Sequence, residues 1–424
     1  MKRLLRWVLI TLAVFVVWRM IESRPDRYDP IRNFQNIEEE MLTQFIIAKD
    51  SSIIELPEGH FLFTRSLTLD GVSDVTIRGK GIERTVLSFK DQKEGAEGIR
   101  ISNGKNITLE DFTIEDASGD NIKVMDTDGI VFRRVKAAWT GTINSDNGSY
   151  GLYPVICKNV LIEDCEAMGS ADAGIYVGQS EKVVIRNNKA YQNVAGIESE
   201  NSDDVLIYDN EAYDNTGGIL VFNLPGLTRY GKNIKVYDNV VRSNNRKNFG
   251  MKGAIVSNIP GGTGMLVLAT NDVEIYDNTI TGHHTLGVGV ISYNMVDAME
   301  EDINAAPVDA YGGVRTVTDF RNDKEYDPYP GKIYLHDNTY TNDRWIPNLS
   351  TDLGKLFFSK RGFGVPDVVL DGFKSPEYYQ NGNKINPYYR ICIKEENIDF
   401  LTLDAQNDFR DLSEEIGDYA CIDL

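Results

Sequence analysis

Five side chains with acid, base or cation chemistry recur at similar intervals along the chain. Arg100, Lys123, Tyr153, Tyr176 and Glu198 are separated by 23, 30, 23 and 22 residues. If each interval is one structural repeat, these side chains form a row on one face of the molecule. Cations of this kind neutralise a carboxylate, and lysine or tyrosine can transfer a proton. The row therefore indicates a site for an acidic substrate from which a carbon-bound proton is removed.

The repeat is clearest between Asn159 and Leu220. Three segments share the pattern V-x-I-x-x-N-x-A, a turn and then G-I-x-V, and the pattern returns every 22 or 23 residues. Each half alternates apolar and polar residues over four or five positions, which predicts short strands and leaves no room for a helix. Strands with a fixed period of this length stack on copies of themselves, about 4.8 Å apart. The sequence predicts a parallel coil.

An asparagine follows the first strand of most repeats. Stacked asparagines at a turn can satisfy one another and the turn backbone, and they tolerate the left-handed conformation. Cys165 stands at the same position in one repeat, and we expect it to be buried. The predicted ladder consists of Asn188, Asn210, Asn239, Asn278 and Asn338.

Alternation within the second strand separates inward from outward residues. We expect Lys123, Tyr153, Tyr176 and Glu198 to be the catalytic residues, with Tyr153 or Tyr176 transferring the proton and Glu198 orienting it. We expect substrate contacts from Arg100, from Glu200 and Phe222 in the outward row two residues later, and from Lys123. The competing interpretation is an ordinary solvated sheet face. A further outward row on the first strand, which can stack as a stabilising ladder or as a sugar platform, consists of Arg186, Tyr208, Tyr237, Tyr276 and His336.

The segments 53–59 and 75–81, together with the repeats, resemble the opening coils of the pectin-lyase-like superfamily. The resemblance covers residues 51–342 and implies an all-β, single-stranded right-handed parallel β-helix. The superfamily contains lyases, hydrolases, epimerases and non-catalytic members, so the fold alone does not choose among them. The chain also resembles exported bacterial parallel β-helix repeat proteins.

Segments 150–156 and 174–180 resemble mannuronan C5-epimerases of bacterial alginate systems. In those enzymes the outward strand carries G-I-D-P-H-D. The backbone residues Gly151 and Pro154 are retained here, whereas the catalytic Asp, His and Asp positions hold Tyr153, Val155 and Ile156. The resemblance implies a carbohydrate-active protein without the epimerase's acid and imidazole groups.

Three other groups of residues suggest different chemistry. Ser118-Gly119-Asp120-Asn121 resembles a β-helix polygalacturonase motif, with Asp172 as a candidate partner carboxylate for glycoside hydrolysis. His283 and His284 can supply a base or form a turn pair without a catalytic role. Candidate oxygen ligands for Ca²⁺ are Glu198, Glu200, Asp203 and Asp204. No zinc motif is present, and no other cofactor is indicated.

Composition limits the partners. The chain has 424 residues, with 64 acidic and 44 basic side chains and a net charge of −20, which argues against nucleic acid. Lys2, Arg3 and Arg6 precede an apolar run over residues 7–18, which predicts a signal peptide or signal anchor within residues 1–24. Cys392 and Cys421 can form a disulfide if the protein is exported. We expect a periplasmic, cell-envelope or extracellular protein, and a monomer.

The chain divides into four parts by pattern. Residues 25–50 predict a linker and an amphipathic helical cap, with Ile31, Phe34, Ile37, Met41 and Phe45 on one face. Residues 51–345 predict the β-helix, with insertions around 250–264 and 295–330. Residues 346–424 predict a final coil near 365–370 and an irregular C-terminal cap. We expect a protein that binds or acts on an acidic polysaccharide as a lyase or epimerase, or alternatively a non-catalytic glycan-binding or envelope scaffold protein.

Overall fold

The strands of the chain wind as successive coils around a narrow apolar interior. The computed structural model describes residues 27–299, 320–342, 344–382 and 384–421, and the predicted signal or anchor segment lies outside them. Each coil contributes strands to three walls, and like strands of successive coils pair in parallel. This winding confirms the predicted parallel β-helix. Among the described residues, no helix is long and apolar enough to cross a membrane.

The front sheet is the wall formed by the second strand of each repeat, and eleven strands of the described residues belong to it. These strands are Arg65–Asp70, Glu94–Ser102, Ile122–Met125, Tyr150–Val155, Ala173–Gly178, Ala195–Glu200, Gly217–Phe222, Thr263–Leu268, Leu286–Ile291, Val368–Leu370 and Phe400–Thr402.

The second wall carries the first strand of each repeat. Its strands are Ile53–Glu55, Thr76–Arg78, Lys105–Glu115, Asp128–Ala138, Lys158–Glu163, Glu181–Arg186, Asp203–Tyr208, Ile234–Tyr237, Asn271–Tyr276, Gly331–His336 and Ile391–Lys394. The two 11-residue strands, Lys105–Glu115 and Asp128–Ala138, continue into the third wall.

The third wall is made of shorter strands. They are Phe34–Gln35, Gly59–Leu62, Thr85–Ser88, Glu166–Met168, Lys189–Tyr191, Glu211–Tyr213, Val240–Arg242, Thr279–Thr281 and Thr339–Thr341. Two small antiparallel pairs lie outside the coils: Arg27–Tyr28 with Gly141–Thr142, and Tyr379–Gln380 with Lys384–Ile385.

Helices occur at the ends and in the insertions. Helix α1 spans Glu38–Ile47, α2 spans Tyr293–Met299 and α3 spans Asp352–Lys360. Short 3₁₀ turns cover Ile255–Asn258, Phe320–Asn322, Pro387–Tyr389, Ala405–Asn407 and Gly417–Tyr419.

The N-terminal cap is shorter than the pattern predicts. Met41 and Phe45 of α1 are buried over the open end of the coil. Ile31 and Phe34 precede the helix, and Ile31 is 90% exposed, so their assignment to its apolar face was wrong. Phe34 instead lies in a short strand that pairs with His60 and Phe61, which takes it out of the helical spacing.

The interior is filled by the inward apolar residues of each strand, two from most strands of the front sheet and the second wall. On the front sheet the inward row includes Ile122, Leu152, Ile175 and Ile197, all with no exposed surface. Register pairs each of them with the next, so the row runs straight along the coil axis. This alignment holds the outward neighbours in a straight row as well.

Each coil has three corners, where the chain passes from one wall to the next. Ladders of hydrogen-bonded asparagines lie at two of them. Asn188 donates its backbone and side-chain N–H to Asn210 Oδ1 at 3.0 and 2.9 Å, and Asn210 does the same to Asn239 at 3.0 and 3.0 Å. The residue before each ladder asparagine, such as Asp209, has a positive φ of 55°. Cys165 occupies the predicted ladder place and is buried. A second ladder, at the next corner, consists of Asn193, Asn215, Asn244 and His283.

The C-terminal region adds two strands to the front sheet, one more than the single final coil expected from the sequence. Val368–Leu370 pairs with Leu286–Ile291, and Phe400–Thr402 pairs with Val368–Leu370. Cys392 and Cys421 form a disulfide that ties the end of the chain to the last strand of the second wall. Cys157 and Cys165 are free and buried.

Candidate functional site

The predicted row lies on the outer face of the front sheet. Lys123 is the register partner of Arg100 on one side and of Tyr153 on the other. Leu152 pairs with Ile175, which places Tyr176 next to Tyr153, and Tyr176 is the register partner of Glu198. The five side chains singled out by their spacing therefore occupy adjacent coils on one wall.

Three tyrosine rings pack together at the centre of this row. The rings of Tyr153 and Tyr176 meet edge to face with centroids 4.9 Å apart, and Tyr150 lies 4.4 Å from Tyr153 and 4.6 Å from Tyr176. Tyr150 and Tyr153 are half-buried, whereas Tyr176 is buried. Tyr153 is therefore the ring of the predicted proton-transfer pair that a ligand on this face can reach.

Lys123 packs directly against the accessible tyrosine. Its Nζ lies 4.9 Å from the centroid of the Tyr153 ring, within the range of a cation–π interaction. The lysine side chain is only 8% exposed, so its charge is held close to the phenol in a poorly hydrated environment. The contact therefore places a cation against the accessible phenol ring.

Asp120 lies just before the strand that carries Lys123 and is 1% exposed. Burial raises the pKa of its carboxyl from 3.8 to about 8; the charge of Lys123 opposes this rise, and Glu97 and Asp172 add to it. At neutral pH the group is therefore a protonated acid inside the site. Beyond Asp120, the site holds four further carboxyl groups: Glu97, Asp172, Glu198 and Glu200.

Tyr176 is fixed by a carboxylate of the next coil. Its phenol donates a 2.8 Å hydrogen bond to Glu200 Oε1. Burial, followed by the charge of Glu200, raises the pKa of Tyr176 well above its usual value. Tyr176 therefore stays protonated at neutral pH, which makes it a donor and a positioning group rather than a base.

Tyr150 is a member of the site that the sequence pattern did not select. Its phenol donates to Asp172 Oδ2 at 3.2 Å, and burial and the Asp172 charge raise its pKa well above the usual value. It is the first residue of its strand, three positions before Tyr153. Strict alternation from Tyr153 assigns it to the interior, so only its proximity to a turn could have signalled its outward position.

Three of the predicted substrate contacts, Arg100, Glu200 and Phe222, differ in exposure. Arg100 is exposed and Glu200 is half-buried. Phe222 points outward, as predicted, but is only 1% exposed because the insertions cover it, together with Leu224, Val256 and Ile259. A contact between Phe222 and a polysaccharide on the open face is therefore not available, and that prediction was wrong.

Two insertions border the site. In the loop 223–232, Thr228 donates its backbone N–H to Gln179 Oε1 at 3.0 Å, directly after the strand that carries Tyr176. On the other side, the insertion 245–262 approaches the sheet where Gly250 lies against the carbonyl of Ala171. The half-buried face of Tyr150 and Tyr153 thus lies between two projecting segments.

Two of the four acids proposed as Ca²⁺ ligands, Asp203 and Asp204, accept hydrogen bonds from the neighbouring coil. Within the described ranges, no group of three or more His, Cys, Asp or Glu side chains is arranged to hold a metal ion. Asp203 accepts the backbone N–H of Lys232 at 3.1 Å, and Asp204 accepts Asn233 Nδ2 at 2.6 Å.

The histidine pair belongs to the corner and not to the site. His283 continues the second ladder, with Nδ1 3.4 Å from the N–H of Asn244 and Nε2 3.1 Å from the carbonyl of Val241. Burial lowers its pKa from 6.5 to about 4. His284 Nε2 lies 2.9 Å from Arg344 Nη1. His283 therefore acts as a member of the second ladder.

The outward row of the second wall is a continuous aromatic stack. Ring centroids of Tyr208, Tyr237, Tyr276 and His336 follow one another at 4.9, 5.0 and 5.1 Å, with interplanar angles of 8°, 7° and 2°. Each ring stacks face to face on the next, so these faces are not open to a sugar. The row therefore fits a stabilising ladder better than a platform for sugar rings.

Sequence comparison agrees with this architecture. Residues 140–298 match the family described as "Right handed beta helix region". The match covers less than half of the chain, and the fold of the described residues is that of a parallel β-helix. The matched region of this β-helix protein contains Tyr150, Tyr153, Tyr176, Glu198 and Glu200 but not Arg100 or Lys123.

A search of curated proteins finds a pre-neck appendage protein of Bacillus phage B103, 26% identical over 179 residues. That match covers 34% of this β-helix protein and 21% of the phage protein. The chain thus spans about a fifth of the length of this relative.

Solved structures of low identity also align. The A-module of Azotobacter vinelandii mannuronan C-5 epimerase AlgE4 is 14% identical, with 88% of this chain and 94% of that chain covered and a TM-score of 0.49. The periplasmic alginate epimerase AlgG is 15% identical (74% and 81% covered, TM-score 0.40). A mutant DFA-IIIase from Arthrobacter chlorophenolicus A6, in complex with DFA-III, is 10% identical (81% and 91% covered, TM-score 0.48).

Proposed function

We propose that this β-helix protein binds a polysaccharide across the outer face of the front sheet and acts on an acidic one by removing the proton at C5 of a uronate residue. The observation that carries the proposal is the contact between Lys123 Nζ and the ring of Tyr153, 4.9 Å apart. It places a poorly exposed cation against a half-buried phenol ring that a ligand can reach.

The residues of the row have separate roles in this proposal. Arg100, exposed at one end of the row, pairs with the uronate carboxylate and so makes the C5 proton more acidic. Tyr153 takes that proton as the base, and Lys123 stabilises the phenolate before the transfer. Tyr176, held by Glu200, and Glu198 are only 4% and 2% exposed, so they position Tyr153 and do not contact the sugar.

Two outcomes follow from the resulting carbanion. If the bond from C4 to its glycosidic oxygen breaks, a double bond forms between C4 and C5, and the reaction is a β-elimination. If a proton from solvent is instead delivered to the opposite face, a new C5–H bond forms, the glycosidic bond stays intact and the product is the C5 epimer. In D₂O the epimerisation places deuterium at C5, whereas the elimination leaves C5 without a hydrogen in an unsaturated product.

A second candidate is glycoside hydrolysis, and one observation favours it. Burial raises the pKa of Asp120 to about 8 and Asp172 adds to the rise, so the site holds a protonated acid close to a second carboxyl group. That combination is what glycosidases use as general acid and as base or nucleophile. The site has five carboxyl groups beside Lys123 and Arg100, which also suits a neutral sugar better than a uronate.

Turnover assays separate these candidates. The purified protein is incubated in D₂O with alginate, pectate and a neutral β-glucan, and the products are followed by ultraviolet absorbance, proton NMR and reducing-end release. The proposal expects deuterium at C5 or unsaturated ends with a uronate polymer, and loss of both in Tyr153→Phe. Reducing ends from the neutral glycan without C5 exchange would assign the hydrolase.

A glycan-binding role without catalysis uses the same face. In that case an array shows binding of one glycan class, no polymer changes chemically, and Tyr153→Phe alters affinity only. A scaffold role in the cell envelope predicts no glycan binding at all.

We also propose that the protein is exported, and that the apolar run at 7–18 directs the export or anchors the chain. The Cys392–Cys421 disulfide supports a compartment outside the cytosol, because such bonds persist in oxidising environments. Fractionation of the native host, followed by mass analysis of the mature N-terminus, tests export and cleavage together.

A further inference from the structure

An apolar cavity of about 780 Å³ lies beside the candidate site, on the outer face of the same sheet. Its floor is the front sheet, where Leu266, Leu268 and Ile291 point outward. Its walls include Met295 of α2 and Leu353 of α3, and the insertion 245–262 completes the enclosure.

The cavity begins where the outward rows of the front sheet change from ionisable to apolar side chains. Glu198 is the register partner of Leu220, and Glu200 is the partner of Phe222. From that coil onward both rows are apolar, with Leu266 and Leu268 next in line. The ionisable site and the cavity are therefore neighbouring segments of one face with opposite chemistry.

A glycine lies in the floor of the cavity. The outward row runs Leu220, Leu266, Gly289 and Val369, so the third member has no side chain. Gly289 lies in a regular strand and does not have a positive φ, so its backbone does not require glycine. A Cβ added there would lie 2.8 Å from Leu266 Cδ1, which shows that the floor around it is already closely packed.

The rim has a basic side and one carboxylate: Asp352 of α3 lines the cavity, and its Oδ1 is paired with Lys355 Nζ at 2.8 Å. The insertion 245–262 contains Arg246, Lys247 and Lys252 and no acidic residue in its sequence, although the chain has a net charge of −20. Arg246 is held by Asp214 at 2.7 Å. Lys247 is exposed and lines the cavity, so its ammonium is available at the entrance.

We propose that this cavity binds one long-chain fatty acid, with the alkyl chain in the apolar interior and the carboxylate at Lys247. The volume lies within the range of about 300–1,000 Å³ typical of small-molecule sites. Aliphatic walls suit an alkyl chain, which offers no polar atom that would need a partner. The basic side of the rim selects an anionic head in a protein that otherwise repels anions.

Calorimetric titration of the full-length protein with dodecanoate below its micelle concentration tests the proposal, after any bound lipid has been removed on a hydrophobic resin. We expect one site per chain and a negative heat-capacity change, which marks burial of apolar surface. Dodecyltrimethylammonium has the same chain with a cationic head, and we expect it to bind at least tenfold more weakly.

Variants locate the site. Gly289→Leu fills the floor and Leu353→Trp fills the α3 side, and each is expected to reduce dodecanoate affinity more than tenfold. Lys247→Ala is expected to reduce it severalfold, whereas Lys252→Ala, which is in the same insertion but does not line the cavity, leaves it unchanged. Circular dichroism identifies any variant that does not fold, and the other filling variant then decides.

Two results would overturn the proposal. The first is no saturable binding of dodecanoate, or binding that both folded filling variants leave intact. The second is a dimer in sedimentation experiments that Leu353→Trp dissociates while dodecanoate does not bind, which would assign the cavity to a second copy of the chain.

Discussion

Lys123 Nζ and the ring of Tyr153 lie 4.9 Å apart, although 30 residues separate them in the sequence. The two residues are register partners on adjacent strands of the front sheet, so one full turn of the chain lies between them. A charge placed at this distance by the winding of the chain, in a poorly exposed position, is the feature that distinguishes this face from an ordinary solvated sheet.

The protonated state of Asp120 predicts a pH effect on stability. Its folded pKa of about 8 is above the ordinary value of 3.8, so between those values the folded state binds one more proton than the unfolded state. Stability therefore falls as pH rises across this range, by up to about 1.4 kcal/mol per pH unit. Asp120→Asn should remove this slope and be the more stable protein near pH 8.

Urea unfolding at several pH values measures the effect. Asp126→Asn, at an exposed position on the same coil, is the matched control and should keep the wild-type slope. Equal slopes in wild type and Asp120→Asn would mean that Asp120 is ionised in the folded protein.

His283 predicts a dependence of the opposite sign. Its folded pKa of about 4 is below the ordinary 6.5, so in this window the unfolded state binds the extra proton and stability is lost as pH falls. His283→Asn restores the side chain found at Asn193, Asn215 and Asn244, and should reduce the acid sensitivity.

The control for this experiment is His284→Asn at the neighbouring, half-buried position. Thermal unfolding near pH 5 and near pH 7 compares the three proteins. A loss of stability on acidification that is as large in His283→Asn as in wild type would argue against a neutral, buried imidazole.

We expect that substituting one asparagine of the ladder greatly lowers the free energy of unfolding. Asn210 is buried, accepts two hydrogen bonds from Asn188 and donates to the carbonyl of Ile185 at 2.9 Å. Asn210→Ala leaves several buried groups without partners, at about 1–3 kcal/mol each, so we expect a loss of about 3–5 kcal/mol.

Equilibrium unfolding in urea gives this value, with Asn187→Ala, at the exposed position before the ladder residue Asn188, as the comparison. That position has a positive φ of 56°, so its substitution is not neutral, but we expect a cost of only about 1 kcal/mol. If Asn210→Ala costs no more than Asn187→Ala, the ladder contributes little to stability.

The four cysteines should react in two ways, because two form a disulfide and two are buried free thiols. Reduction of Cys392–Cys421, which closes a loop with a sequence separation of 29, should destabilise the C-terminal coils by about 3–4 kcal/mol. Burial raises the pKa of Cys157 and of Cys165 to about 12, so both should resist alkylation in the folded protein.

Mass spectrometry after iodoacetamide treatment separates the two classes. The native protein should take up no label, the reduced folded protein two labels and the denatured reduced protein four. Early labelling of Cys165 would mean that its coil opens readily.

The sequence was sufficient for features that depend on the repeat and insufficient for those that depend on insertions. The ladder and the positions of Lys123, Tyr153 and Tyr176 follow from counting one period. The burial of Phe222 does not, because the segments that cover it come from Leu224, from 245–262 and from the region around Tyr326, none of which has a period. Helix α1 began later than predicted because residues before Glu38 pair with a strand instead.

Alternation along the strands did not place Tyr150 or Asp120 beside the row, although Asp120 was a candidate through a separate hydrolase-like motif. Both stand three residues before a member of the row, where the chain leaves a turn and alternation has not yet begun. Their burial and the resulting pKa changes depend on neighbouring coils, so they could be derived only from coordinates.

The most direct test of the polysaccharide site is the affinity of the double variant Lys123→Ala/Tyr153→Phe for the glycan that the wild type binds most tightly, measured by calorimetry. Lys235→Ala/Tyr237→Phe makes the same changes on the outward row of the second wall. The proposed site predicts that the first variant loses binding and turnover while the second retains both. Unchanged affinity in the first variant, or equal losses in the two, would contradict the assignment of function to this face.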